Sequence, residues 1–383
     1  MIGWSSKPLE QCLDRFKVPA KVPKKKFAER GAFPIVSQEA EFINGYWENL
    51  DDVCKLDSPV VVYGDHTQVT KFVDFDFVVG ADGVKVLKPK EFLDPKYLFY
   101  FVLGHPADSL GYARHFRHMK SKLVPIPPLA EQQRIVAILD EAFEGIDKAI
   151  VNAEQNVANA QELFESYINA LFHQNEVAWA NRKLDHVCSF ENGDRGKNYP
   201  GRKAFVPSGV PFINAGHLED GTIHVDSMNY IPQEHFDLLS NGKVRNGDIL
   251  FCLRGSLGKY GRVENIEQGA IASSLVIVRS GNEILADYLS AYFGSLLCRT
   301  MIGKYESGAA QPNLSARDLK QFDIPVPPME VQKSQIKELS ATRSETQRLK
   351  FLYQHKLEAL AELRQSILRK AFSGELTARE VAA

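Results

Sequence analysis

The sequence predicts a mixed α/β protein built twice: two similar globular domains, each followed by a long helix, with the helices pairing antiparallel as a coiled coil about a pseudo-twofold axis. Three observations predict it. The phrase VPIPPLAEQ at 124–132 returns as IPVPPMEVQ at 324–332. After each phrase runs a long segment with apolar residues at helical spacing, and before each lie short strand-like runs broken by Gly, Asp and Pro.

The repeat sets the boundaries. At an offset of 200, Pro125, Pro127, Pro128 and Gln132 meet Pro325, Pro327, Pro328 and Gln332, and ELFESYINALF at 162–172 lies on ELRQSILRKAF at 362–372 with no gap. Upstream the register slides. PKYLFYFVLG at 95–104 resembles ADYLSAYFGS at 286–295 at offset 191, as GVKVLK at 83–88 resembles SLVIVR at 274–279, and FPIVSQ at 33–38 resembles VPFINA at 210–215 at offset 177. The second copy has therefore gained residues at two places in its front part and none in its back part. The expected organisation is a domain over 1–123, a helix over 124–175, a second domain over 176–323 and a second helix over 324–383.

The first domain offers SPVVVYG (58–64), the alternating run KFVDFDFVV (71–79) and VKVL (84–87) as strands, then an aromatic helix around Tyr97. The first long helix follows Pro127-Pro128, with Glu131 in its first turn complementing the helix dipole. Its apolar stripe includes Val136, Leu139, Phe143, Ile146, Ile150 and Val157, five heptads of a and d positions in all. Such a helix spans ~66 Å at 1.5 Å per residue. The second domain repeats the strands as DILFCL (248–253) and SLVIV (274–278), then a helix around Tyr288. The second long helix keeps Ile336, Leu339, Leu349, Leu357, Leu360 and Leu363 and stops at Ser373-Gly374. It departs from the first by placing Arg343, Thr346 and Arg364 where the first has Phe143, Ile146 and Phe164, which leaves the register of the pair open. Between Leu129 and Phe172 eight acidic and two basic residues give −6; between Met329 and Phe372 five acidic and nine basic give +4. Opposite signs favour pairing with each other over pairing with self.

A hydrophobic share of 44% and a charged share of 25% are ordinary globular statistics. No apolar run reaches eighteen residues and the first residues lack a signal-like pattern, so a cytoplasmic protein is expected. The five cysteines lie at least 42 residues apart and read as reduced core thiols. A net charge of −2 gives no global attraction to nucleic acid, so any such role needs segregated positive charge. Four segments supply it: 17–30 with six basic residues against one acidic, 111–122 with four basic residues and two histidines, 193–203 at +3 and 242–262 at +4. The expected DNA-contacting residues are Lys24, Lys25, Lys26, Arg30, His66, Lys71, Arg114, Arg195, Lys197, Arg202, Lys203, Arg254, Lys259 and Arg262, cations suited to phosphates and base edges.

No motif that carries chemistry is complete in this sequence. GSLGKYG at 255–261 fails the phosphate-loop pattern at Leu253 and Tyr260, and no GxGxxG follows a strand. Neither Pro-Pro pair sits in the Asn-Pro-Pro-aromatic tetrapeptide of amino-methyltransferases. Asp74 and Asp76 near Lys71 read as the solvent side of a strand rather than a nuclease centre, and no histidine pair has metal-ligand spacing. Neither a catalytic set nor a metal site is expected.

Taken together, the duplicated IPxPP phrase with its Gln and long helix, QPNLSARDLKQFDIPVPP (311–328), ADGVKVLKPKEFLDPKYLFYF (81–101) and the closing AFSGEL (371–376) resemble the specificity subunit of type I restriction-modification systems across essentially the whole chain. The resemblance implies a non-catalytic reader of double-stranded DNA. Each target recognition domain would read one half of a split, asymmetric target, while the helices set the spacing and dock two methyltransferase subunits. It implies no cofactor on this chain, S-adenosylmethionine on the methyltransferase partner for adenine methylation, and ATP and Mg on a restriction endonuclease/translocase partner. Three other readings stay open: the DNA-binding part of a related type II restriction-modification enzyme, a nuclease with its own recognition domains, and a coiled-coil scaffold that binds no DNA.

Overall fold

The computed structural model describes residues 4–80, 83–106, 114–173, 179–306 and 313–378. The chain divides into two units, one of 1–154 with 354–383 and one of 155–353, so the boundary falls inside both long helices.

The first unit contains, in chain order, β1 (Ser5–Pro8), β2 (Leu13–Asp14), β3 (Lys21–Val22), β4 (Phe33–Val36), β5 (Gly45–Trp47), β6 (Val53–Cys54), β7 (Val60–Gly64), β8 (Thr70–Val73), β9 (Phe77–Gly80), β10 (Val84–Pro89), α1 (Pro95–Gly104), α2 (Phe116–Met119) and β11 (Leu123–Ile126), and then the first half of α3 (Leu129–His173). The second contains β12 (Asn181–Lys183), α4 (Leu184–Val187), β13 (Cys188–Asn192), β14 (Val210–Ile213), β15 (Leu218–Glu219), β16 (Thr222–Ile223), β17 (Asn229–Ile231), α5 (Gln233–Leu238), β18 (Lys243–Val244), β19 (Ile249–Cys252), β20 (Tyr260–Arg262), β21 (Gly269–Ile271), β22 (Leu275–Ser280), α6 (Ala286–Gly294), α7 (Leu296–Tyr305), α8 (Ala316–Lys320), β23 (Asp323–Pro325) and the first half of α9 (Met329–Ser373).

The two units share one topology. A sheet ordered β2-β10-β7-β8 in the first is matched by β13-β22-β19-β20 in the second. Beside it, β4 pairs antiparallel with β5 and parallel with β9, as β14 does with β17 and β21, and β6 and β18 each pair antiparallel with that parallel partner. The two-stranded ribbons β1-β11 and β12-β23 tie the start of each unit to the strand before its double proline. β7, sequence VVVYG, is buried along its whole length, which explains an uninterrupted apolar run where a half-exposed strand would alternate. The α/β expectation is thereby met, and the sliding offset has a structural cause. Part of the first gain brings the β15-β16 hairpin (paired Leu218 to Ile223), and the second brings α7; neither has a counterpart among the described residues of the first unit.

One expected strand is two. KFVDFDFVV breaks into β8 and β9, which belong to different sheets, with Asp74, Phe75 and Asp76 at the bend between them. The carboxylate of Asp76 accepts from the Leu56 N–H at 2.8 Å, a turn role that alternation alone does not signal.

The repeated phrase is a clip. Gln132 is fully buried; its Nε2 donates to the carbonyls of Phe92 (2.9 Å) and Pro127 (2.8 Å), and its Oε1 accepts from the Asp94 N–H (2.8 Å). Gln332 repeats each bond, to Glu283 (2.9 Å), Pro327 (2.9 Å) and the Leu285 N–H (2.9 Å). Tyr97 and Tyr288 donate their hydroxyls to the Pro125 and Pro325 carbonyls at 3.1 and 3.0 Å. Consecutive prolines supply no N–H donors, so a side-chain amide fastens the helix start to the loop before α1 or α6.

Each long helix ends in an aromatic core. Phe372 of α9 meets Tyr97 and Phe101 edge-on, with centroids at 5.0 and 5.4 Å, and Phe172 of α3 meets Tyr288 and Tyr292 at 5.2 and 5.8 Å. Leu139, Phe143 and Ile146 join the first of these cores with Leu368 and Ala371, and Leu339 joins the second with Ile168 and Leu171. Within the second unit the helices run antiparallel, since Gln161 bonds Lys350 while Tyr167 bonds Glu338. Leu363 does not belong to the seam as expected: it is 47% exposed, because the inward stripe there passes through the half-buried Leu360, Arg364 and Ile367 and the buried Leu368, one helical step away. α9 stops at Ser373, followed by Gly374 at φ +83°, as its sequence suggested.

Candidate nucleic-acid interface

Each unit presents the same backbone frame at the end of its central strands. In the first, the Asp65 N–H just past β7 donates to the Gly83 carbonyl (2.7 Å), and the His115 N–H donates to the Asp65 carbonyl (2.8 Å). In the second, Leu253 N–H donates to Ser274 (2.9 Å) and Leu314 N–H to Leu253 (3.0 Å). Equivalent positions therefore carry His66 and Arg254, and Arg114 and Asn313. The buried Asp65 carboxylate also accepts from the Phe116 N–H at 2.8 Å, which holds the start of α2.

A second shared feature is a basic 3-10 turn. Lys24–Lys26 forms one, Arg202–Ala204 forms the other, and each is followed by a bridge to the strand beyond, Ala28 to Tyr46 and Val206 to Tyr230. Lys24, Lys25, Lys26, Arg30 and Lys203 are exposed, and Lys24 lies 3.2 Å from Glu39 in the loop after β4. Arg195 and Lys197 are exposed on a loop set by Asp194, which is 6% exposed and accepts from the N–H groups of Gly196 (2.7 Å) and Ser240 (2.8 Å). Those backbone bonds hold the Asp194 carboxyl below the usual carboxylate range, so it stays charged as a pedestal without forming an ion pair with Arg195. Arg195 and Arg254 each donate an Nη2 hydrogen to the Ser273 carbonyl, at 3.3 and 2.9 Å. Lys259 is exposed between β19 and β20.

Two of the expected residues are held by other groups of the protein. Lys71 is 4% exposed, and its ammonium donates to the carbonyls of Glu41 and Phe42 (3.3 Å) and to Asn44 Oδ1 (3.2 Å). It props the β4–β5 connection, and burial lowers its pKa to about 8. Arg262 is paired with Asp287 and Glu264 (3.6 Å) and lines a cavity of about 520 Å³ beside Leu339 and Ser340 of α9, so its charge is already matched. Spacing could not distinguish these cations from the exposed ones, because burial depends on the strands packed against them. Asn313, at the position matching Arg114, is marked in the sequence by its place in the QPNLSARDLK phrase.

The cysteines are free, four of them buried, and burial raises the Cys54 thiol to about 11, which suits inert core thiols. Among the described residues no helix is long and apolar enough to cross a membrane, and no cluster of His, Cys, Asp and Glu could hold a metal.

Two units of one topology, each with a basic 3-10 turn and the same framed backbone position, make up an internally duplicated protein. The chain belongs to the family of type I restriction modification DNA specificity domains, whose profile matches residues 1–156 and 176–353. It is similar to the type I restriction enzyme EcoBI specificity subunit of Escherichia coli, 24% identical over 69% of this chain and 60% of that protein. The EcoR124I/EcoR124II specificity subunit of Escherichia coli is 25% identical over 82% of this chain and 81% of that protein. The fold is shared with a chain from a solved type I R-M system, with a TM-score of 0.76 at 20% identity over 98% of this chain and 99% of that one.

Proposed function

We propose that this chain is the non-catalytic, sequence-reading subunit of a type I restriction-modification complex. Each unit reads one half of a bipartite, asymmetric DNA target. The observation that carries this reading is the recurrence, in both units, of a basic 3-10 turn and of the same backbone frame, so that a duplex would meet one phosphate-binding turn per half-site. The contacts we assign are Lys24, Lys25, Lys26, Arg30 and Arg114 with His66 in the first unit, and Arg195, Lys197, Arg202, Lys203, Arg254 and Lys259 in the second.

On this reading 1–123 and 176–323 are the recognition domains, while 124–175 and 324–383 set half-site spacing and dock two methyltransferase subunits. Exposed apolar side chains at matching helix positions support docking: Val151 (63%) corresponds to Phe351 (64%), and Leu163 (61%) to Leu363 (47%). S-adenosylmethionine would sit on the methyltransferase partner, ATP and Mg on a restriction endonuclease/translocase partner, and the assembly would work in the cytoplasm. Replacing Lys24, Lys25 and Lys26 with glutamate tests the assignment in gel shifts with random duplexes at low and moderate salt. The expected result is weaker binding to every sequence and a shallower dependence of affinity on salt. An unchanged salt slope would sink it.

A further inference from the structure

Phosphates are the same in every half-site, whereas bases differ. A position that grips phosphate should keep its charge in both units, and the 3-10 turns do so, Lys24–Lys26 against Arg202 and Lys203. A position that reads a base should keep its backbone and change its hydrogen-bonding side chain. The position after β7 and β19 behaves in this second way: the frame bonds match within a few tenths of an ångström, yet one unit places His66 there and the other Arg254.

Arg254 is also built more rigidly than a phosphate contact requires. Its Nη2 is tied to the Ser273 carbonyl at 2.9 Å, its own carbonyl accepts from the Cys252 thiol at 3.1 Å, and its backbone bridges to Asn313. The guanidinium is exposed and has no ion pair among the described residues. Beside it Gly255 sits at φ +81° with open space where a Cβ would point, so a base edge has room to approach. A tethered, planar fork with donors left over matches the paired acceptors O6 and N7 of guanine in the major groove; the same fork also fits a phosphate, so it is the change of side chain on a kept backbone that favours a base here.

We propose that Arg254 is the specificity-determining residue of the second unit and reads a guanine, with His66 holding the equivalent reading position in the first. The inference rests on the DNA-reading function above. Arg195, which donates to the same carbonyl at 3.3 Å, adds positive charge beside it.

The test is selection of bound sequences from a pool of random duplexes by the full chain and by Arg254→Gln, Arg254→Lys and His66→Ala. The wild type should enrich a two-part motif. Arg254→Gln should lose preference at one G·C pair in one half only, with discrimination there falling by about 5- to 150-fold while the other half and the spacing persist. That intact half shows that the variant is folded. Arg254→Lys, which keeps charge without the fork, should loosen the same base pair, and His66→Ala should alter the opposite half. An unchanged motif with uniformly weaker binding would make Arg254 a phosphate contact and overturn the proposal. Loss at an A·T pair would overturn the guanine assignment. If the wild-type chain enriched no motif at all, the DNA-reading function itself would fall, and this inference with it.

Discussion

At the scale of single residues, the chain separates cations that look alike in sequence by what surrounds them. Lys26 is exposed on a 3-10 turn, while Lys71 is buried under three acceptors. Lys71→Met should lower unfolding free energy by about 1–3 kcal/mol, because buried acceptors lose their donor. It should leave the salt slope of DNA binding unchanged, and a shallower slope would return Lys71 to the contact set. Its titration gives a second readout. Burial lowers the folded pKa to about 8 from the ordinary 10.5, so above pH 8 the folded chain releases a proton that the unfolded chain retains. Stability from this group therefore rises with pH between about 8 and 10.5, and melting curves of wild type against Lys71→Met over that window should diverge in favour of wild type.

Among elements, the long helices show why one pair of arginines interrupts an apolar stripe. Arg364 lies over the Phe143 ring at 4.6 Å, and Arg343 over Phe164 at 5.4 Å. At an offset of 200 these are the same pair with roles exchanged, Phe143 matching Arg343 and Phe164 matching Arg364. Both of these α3 rings find a cation on α9. A second α9 in the same antiparallel register would oppose Arg343 to Arg364, so the arrangement disfavours self-pairing as well as rewarding the mixed pair. A double-mutant cycle with Phe143→Leu and Arg364→Met should give a coupling of about 0.5–1 kcal/mol; additive costs would show that the rings and guanidiniums are merely neighbours. The glutamine clips belong to the same scale. Gln132→Leu and Gln332→Leu each strand buried carbonyls and should cost about 2–3 kcal/mol in urea unfolding, far more than a glutamine on the solvated face of α3 such as Gln155. Near-zero losses would mean that the prolines alone place the helices.

For the whole molecule, proposed as a spaced pair of readers, helix length is the variable that matters. Inserting one heptad into both α3 and α9 should change the distance between the half-sites selected from random duplexes while leaving the bases in each half the same; an unchanged spacing would remove the helices from that role. Much of this design was legible in the sequence. A constant offset marks segments whose length is held, and heptad spacing marks helices, since both are local periodicities that survive without coordinates. The double proline and its glutamine were visible as a repeat, although their bonds were not. Only the tertiary structure decided that the end of α9 joins the first unit, that Lys71 and Arg262 are occupied, that Leu363 faces outward, and that His66 and Arg254 share one position. Those facts depend on which distant strands and helices converge, and sequence spacing carries no measure of burial or of the partner a side chain meets across the fold.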